Sequence, residues 1–211
     1  MTEAAGVLGV ILAGGQNRRY GGVPKALERV GGERIADRAI RAMEAAAGRA
    51  VLVANEPETF ATLGLPMRPD ITPGLGVLGG ILTAVIWAEE ERCRGALLAA
   101  CDMPFLSASL LERLAAGAQP DEAVVPASDS RRGLEPLCAF YGSACRDAIE
   151  SAIDRGQRHI VSFFDDVSVR TIPRHEVATF GNPDLLFLNV NSPEDRELAE
   201  EAARLIDLTT Q

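Results

Sequence analysis

The sequence predicts an α/β fold: a mainly parallel β-sheet covered by helices on both faces. Three observations predict it. Apolar runs of strand length recur at Val7–Ala13, Ala50–Ala54 and Ala96–Ala100; unbroken apolar character, as opposed to alternation, marks strands buried on both sides. Segments of helical periodicity lie between them, so that βαβ units with right-handed crossovers follow one another as far as Ala116. The chain has 211 residues, of which 47% are hydrophobic and 24% charged, enough for one domain with a substantial core.

Val7–Ala13 is short, follows Glu3 and no basic residue, and runs into Gly14-Gly15, so it reads as a first buried strand and not a signal peptide. Glu33–Ala46 carries Ile35, Ala39, Ile40 and Met43 at helical spacing. After the strand Ala50–Ala54, Phe60–Leu63 ends a short helical piece, and Leu65–Ile71 is a weak strand broken by Pro66 and Pro69. Val77–Glu91 is a buried helix with an acidic exposed end. Ser107–Ala116 is a second, with Ser107 as N-cap and Leu110, Leu111 and Leu114 on one face.

Beyond this point the pattern loosens. Ala123–Pro126 and Leu137–Tyr141 are strands around a polar turn, Ser128–Gly133, which places Arg131, Arg132 and Glu135 on a hairpin able to close over a site. Helical pieces follow at Ser143–Asp154 and His159–Phe164, then a strand at Val167–Ile172 and an apolar stretch at Leu185–Val190. Pro193–Leu208 closes the chain as a helix, with Ser192 as N-cap, Pro193 at its first position and Glu194 and Asp195 in its first turn. With no repeat and no low-complexity linker, residues 1–211 are expected to form one domain, divided into a half over 1–120 and an elaborated half over 121–211.

The net charge of −9 argues against binding nucleic acid over a broad surface. No apolar run approaches the length of a membrane span. Cys93, Cys101, Cys138 and Cys145 form no CxxC pair, and only two histidines are present, which argues against a zinc site. Four free thiols fit a reducing, cytoplasmic setting.

The most informative segment runs from Leu12 and Ala13 through Gly14, Gly15, Arg18, Arg19, Gly21 and Gly22 to Lys25. Backbone N–H groups beside glycines approach phosphate oxygens closely, and the cations neutralise them. In an open parallel sheet such a loop lies at the carboxyl ends of the strands, where ligands bind. It is no Walker A loop, because Ala26 follows Lys25; the alternative is a connection with solvated basic residues. Asp102 follows the apolar run Ala96–Ala100 and precedes Met103-Pro104. There it is either a ligand for Mg²⁺ bridging to phosphates or a turn aspartate. Asp70 is either a nucleotide contact or a surface-turn residue. Asn189 and Asn191 alternate at an expected strand end, sharing a face, and either bind a substrate or organise the turn. Gly74-Leu-Gly-Val-Leu-Gly79 matches GxGxxG and keeps a dinucleotide-binding, hydride-transfer reading open.

These blocks together resemble the nucleotidyltransferases of glycosyltransferase-A type, and within them the molybdenum cofactor guanylyltransferase family. The likeness rests on the loop Leu12–Lys25, on Asp70 with Pro73–Gly80, on Cys101–Leu106, on Pro136–Tyr141 and on Asn189–Asp195, and so spans nearly the whole chain. Leu-Ala-Gly-Gly favours the guanylyl branch over the cytidylyl one, where Leu-Ala-Ala-Gly is commoner. Tyr20, Pro24 and Val77 depart from the family's usual Met, Asp and Pro.

The resemblance implies a Rossmann-like three-layer α/β/α fold with a mixed sheet, of nucleotide-diphospho-sugar transferase type, whose first half binds nucleotide and whose second binds the acceptor. It implies Mg-dependent transfer of GMP from GTP to the phosphate of molybdopterin, with release of pyrophosphate. Lys25, Arg19 and Asp102 would be catalytic, with Mg²⁺ on Asp102. Leu12, Ala13, Gly14, Gly15, Lys25, Asn55, Asp70 and Asp102 would bind the nucleotide, and Asn189 and Asn191 the acceptor. Protein partners would be enzymes that make or receive the cofactor. No nucleophile–base pair is evident, which favours direct in-line displacement. Two other functions remain: a nucleotidyltransferase using CTP or UTP on a sugar phosphate or other small phosphate, and a non-catalytic nucleotide-binding regulator.

Overall fold

The structure, a computed structural model, describes residues 6–13 and 24–209. β1 (Val7–Ala13) is followed, after a 3-10 turn at Lys25–Leu27, by the short hairpin β2 (Arg29–Val30) and β3 (Glu33–Arg34) and by α1 (Ile35–Ala47). Next come β4 (Ala50–Ala54), α2 (Pro57–Phe60), β5 (Met67–Arg68), α3 (Val77–Glu90), β6 (Gly95–Ala100) and α4 (Ala108–Ala115). The second half contributes β7 (Glu122–Pro126), β8 (Cys138–Gly142), α5 (Cys145–Asp154), β9 (Ser168–Ile172), α6 (Arg174–Val177), α7 (Pro183–Leu186) and α8 (Pro193–Thr209).

Seven strands form one mixed, mainly parallel sheet in the order β5-β4-β1-β6-β8-β7-β9. β1 lies parallel to both β4 and β6, with Leu12 opposite Val53 on one side and Ala100 on the other. β8 alone runs the other way, pairing antiparallel with β6 and with β7. Its first residue, Cys138, therefore sits opposite Ala99, beside the end at which β6 finishes.

Alternate residues of each central strand serve opposite layers. Ile11, Leu52 and Leu97 pack with Met43 of α1 and with Leu110, Leu111 and Leu114 of α4. Leu8, Val10, Val51 and Leu98 pack with Leu78, Ile81 and Val85 of α3 and Ile149 of α5. Burying each such side chain stabilises the fold by about 1.5–3 kcal/mol, and both layers being apolar explains why the strands read as unbroken runs. A smaller cluster of Val30, Ile35, Val190, Ala199 and Ala203 fixes α8 against the hairpin and the start of α1.

Both expected caps form. Ser107 Oγ accepts the Leu110 N–H at 3.4 Å. Ser192 Oγ accepts the Asp195 N–H at 3.1 Å, while the Asp195 carboxylate accepts the N–H groups of Ser192 and Asn191, each at 2.8 Å, a reciprocal capping box. Three expectations are corrected. The helix expected from Glu33 begins at Ile35, because Glu33 and Arg34 pair with β2. His159–Phe164 is a run of turns, and the only helical geometry there is a 3-10 turn at Phe164–Asp166. The segment 187–192 is irregular, preceded by the four-residue helix α7, so Asn189 and Asn191 stand at no strand end. Among the described residues, no helix is long and apolar enough to cross a membrane.

Candidate active site

The carboxyl ends of β1, β4 and β6 open on one edge of the sheet, and most of the expected site residues gather there. Leu12 and Ala13 finish β1 as buried residues, and the Leu12 carbonyl accepts the Cys101 N–H at 3.0 Å, joining the β1 end to the turn after β6. Gly14, Gly15 and Arg19 lie outside the described residues.

On the β4 side, Asn55 and Asp70 grip each other. Asn55 Nδ2 donates to the Asp70 carboxylate at 2.8 Å, and the Asp70 N–H donates to Asn55 Oδ1 at 2.8 Å. The buried Thr83 of α3 accepts the Ile71 N–H at 3.0 Å and donates to the Gly79 carbonyl at 2.9 Å. The loop bearing Asp70 is thus tied to both a strand end and a helix. A Cβ on Gly80 would stand 3.4 Å from Leu12 Cδ2 and 3.7 Å from Asp70 Oδ1, so Leu12, Asp70 and the start of α3 share one wall. Gly76, with φ +59°, makes the left-handed turn that launches α3.

Asp102 stands two residues past the end of β6, half-buried. Burial pushes its carboxyl above the usual carboxylate range, against the opposing pull of a backbone hydrogen bond and the Lys25 charge. Its carbonyl accepts the Val190 N–H at 3.0 Å, which docks the irregular segment before α8 onto the site. Lys25 starts the 3-10 turn that Pro24 (φ −59°) leads into, with the Leu27 N–H bonded to the Pro24 carbonyl at 2.9 Å; proline's fixed φ suits that entry. Lys25 Nζ donates to the Asn191 carbonyl. Asn191 thus meets Lys25 through its backbone, and its side chain is exposed. Asn189 is half-buried and spends its amide on the Phe187 carbonyl at 3.0 Å. A cavity of about 480 Å³ flanks Lys25 on the α8 side, lined by Glu28, Asn191, Arg196 and Glu200 among others. Asp102 does not line it, so the open edge above the strands is the better candidate for chemistry.

The sequence placed Glu135 only on a hairpin able to close over the site and gave it no chemistry of its own. It is 9% exposed and stands three residues before β8. Burial first, then the nearby Asp102 charge, pushes its carboxyl up to about 7, against the Leu137 N–H and Arg132. The one available signal was its place at the mouth of an apolar strand. Arg131 and Arg132 are exposed on the turn beyond it, and His159 and His175 are exposed far along the chain. Among the described residues no three His, Cys, Asp or Glu side chains cluster as a metal cage.

The geometry also disposes of the GxGxxG reading. A dinucleotide fold puts its glycine loop and its ribose-binding acid on neighbouring strands. Here the loop follows β5 at the sheet edge, whereas Asp102 follows β6, with β4 and β1 in between.

Comparisons with known proteins agree with this arrangement. The model of the MobA-like NTP transferase domain matches residues 9–170. A molybdenum cofactor guanylyltransferase of Desulfosudis oleivorans is 33% identical over 94% of this chain and 96% of its own. One from Mesorhizobium japonicum is 34% identical over 97% and 98%. The crystal structure of molybdopterin-guanine dinucleotide biosynthesis protein A from Archaeoglobus fulgidus superposes with a TM-score of 0.73 at 26% identity, covering 94% of this chain and 99% of that one. With its sheet order, its strand-end carboxylate and these near-full-length matches, the chain belongs to the MobA-like NTP transferase family.

Proposed function

We propose that the protein transfers GMP from GTP to the terminal phosphate of molybdopterin, releasing pyrophosphate and forming the guanine dinucleotide cofactor. The observation that carries this reading is the near-full-length match to molybdenum cofactor guanylyltransferases. The strand-edge geometry supports it: a paired Asn55–Asp70 wall on one side and Asp102 with Lys25 on the other.

Asp102 fits Mg²⁺. It is a half-buried oxygen donor whose ionised form burial disfavours, so a cation above it would restore the charge balance. A single protein carboxylate suits an ion that takes its remaining ligands from water and substrate phosphates. Bound there, Mg²⁺ would draw charge from the phosphate oxygens of both substrates. The chain's own residues do the rest. Leu12, Ala13 and Asp70 hold the nucleotide, and Asn55 keeps the Asp70 carboxylate in place. Lys25, with Arg19 and the N–H groups of Gly14 and Gly15, steadies negative charge as the acceptor phosphate displaces pyrophosphate from the α-phosphorus. The Asn191 carbonyl holds Lys25 toward α8 until phosphate offers it a stronger partner. We place Asn189 and Asn191 on the acceptor side as frame residues, and the reaction in the cytoplasm, in keeping with four cysteines that are all free.

Titration with GTP, CTP and UTP, each with and without Mg²⁺, followed by turnover with molybdopterin, tests the assignment. A Mg-dependent stabilisation by GTP alone is expected. Asp102→Ala is expected to lower kcat by about 100-fold or more and to leave the melting temperature within a few degrees. Turnover at the wild-type rate in that variant would overturn the role of Asp102.

A further inference from the structure

Glu135 is a buried carboxylate with few partners among the described residues. Its side chain receives one hydrogen bond among the described residues, a long one of 3.4 Å from the Leu137 N–H to Oε1. Among the described residues no salt bridge reaches it and Oε2 has no hydrogen-bond donor. Its backbone, in contrast, is held at several points. The Glu135 N–H donates to the Pro126 carbonyl at 2.9 Å, and its carbonyl accepts the Cys138 N–H at 3.1 Å. The next residue is fixed by Tyr141, buried in the sheet, whose hydroxyl donates to the Pro136 carbonyl at 2.8 Å. Before it, Ala127 bridges Leu134, and Ser130 Oγ donates to the Leu134 carbonyl at 2.8 Å. A rigid frame thus presents a carboxylate with lone pairs to spare.

Its location says which substrate it faces. β8 runs antiparallel to β6, so the residues that lead into β8 lie at the edge where β6 ends, just before the turn that carries Asp102. The nucleotide wall of Leu12, Asn55 and Asp70 is on the β1–β4 side of Asp102, and Glu135 is on the opposite, β8 side. A substrate whose phosphate reaches Asp102 from that side would lay its other end past Glu135.

We propose that Glu135 binds the acceptor, its carboxylate accepting a hydrogen bond from an N–H donor of the pterin ring. A ring rich in N–H groups is the chemistry that an under-bonded, buried carboxylate recognises, and a filled site would relieve the desolvation that the empty one carries. This inference rests on the guanylyltransferase reading, since it takes its acceptor from there.

Steady-state kinetics on Glu135→Ala and the near-isosteric Glu135→Gln test it, with GTP binding in the presence of Mg²⁺ measured alongside. The alanine variant is expected to raise KM for molybdopterin by about 10- to 100-fold, the loss typical of a charged hydrogen bond. Glutamine, which keeps one acceptor oxygen, should raise it less, and GTP affinity should stay within about twofold of wild type in both. An unchanged KM for molybdopterin, an equal weakening of GTP, a fall in kcat alone, or failure of both variants to fold would each overturn the proposal. If the wild-type protein itself transferred no GMP to molybdopterin, the functional reading would fall first. Wild-type turnover with an unaffected Glu135→Ala would remove only the role of Glu135.

Discussion

Two acidic side chains at one sheet edge carry raised carboxyl groups, and the physical cause in both is burial before anything else. For Glu135 this has a measurable thermodynamic consequence. Its carboxyl is held at about 7, above an ordinary value of 4.5, so the folded state keeps the proton more tightly than the unfolded chain. Stability is therefore greatest below the ordinary value and is lost as pH rises through the interval to about 7. The shift corresponds to at most about 3 kcal/mol. In metal-free protein, Glu135→Gln should be more stable than wild type at pH 8, and the gap should close toward pH 5. Denaturant unfolding at the two pH values reads this directly; a gap independent of pH would contradict the buried, under-bonded state of Glu135. Asp102 remains in both proteins, so the comparison isolates Glu135. The sequence placed this residue on a hairpin able to close over the site, but a lone glutamate before a proline carries no signal of burial or of chemistry. Only the pairing of β8 with β6 shows what it faces.

Elements with one dominant physical cause were legible nearly to the residue. β1, β4, β6 and α3 each announce themselves by unbroken apolar character, and α4 and α8 by a serine cap that bonds as expected. Elements held by tertiary context were not. β2 and β3 are two residues each and have no room for a pattern, and strand periodicity carries no direction, so the reversal of β8 left no mark. The irregular segment before α8 looked strand-like through its apolar residues, yet Leu188 and Val190 are apolar because they pack on Val30, Ile35 and Ala199. The capping box fixes the end of that segment next to α8, alongside the Val190–Asp102 bond that docks it onto the site. Asp195→Ala should lower stability by about 1 kcal/mol, seen as a lower denaturant midpoint. Faster amide exchange at Asn191 and Ser192, whose N–H groups the carboxylate accepts, should accompany it.

Across the whole molecule, the two halves are woven into one sheet and not set side by side. β8, from the second half, hydrogen-bonds to β6 from the first over five residue pairs, and α5 shares a core with α3. We therefore expect the full chain to unfold in a single transition, whereas a fragment of residues 1–120, with the open edge of β6 exposed, should show no cooperative melt. A fragment that melts cooperatively would mean that residues 1–120 fold on their own. The net charge of −9 is also unevenly placed: residues 1–25 carry Arg18, Arg19 and Lys25 against Glu3 alone, while the closing helix is rich in acids. Repulsion of polyanions by the bulk of the surface is thus compatible with attraction of a small phosphate at one loop.

The reversed strand has a consequence for how such a protein can change. Because β8 enters the sheet at the site, the residues proposed to face the acceptor belong to the connection between β7 and β8, whose Leu134 and Leu137 pack on the apolar layer that holds α3 while residues 129–133 stand exposed. That exposed tip can be lengthened, shortened or exchanged while the packed layer beneath it stays as it is. One scaffold can in this way keep its triphosphate donor and exchange its second substrate, with a short exposed turn between two neighbouring strands as the interchangeable part.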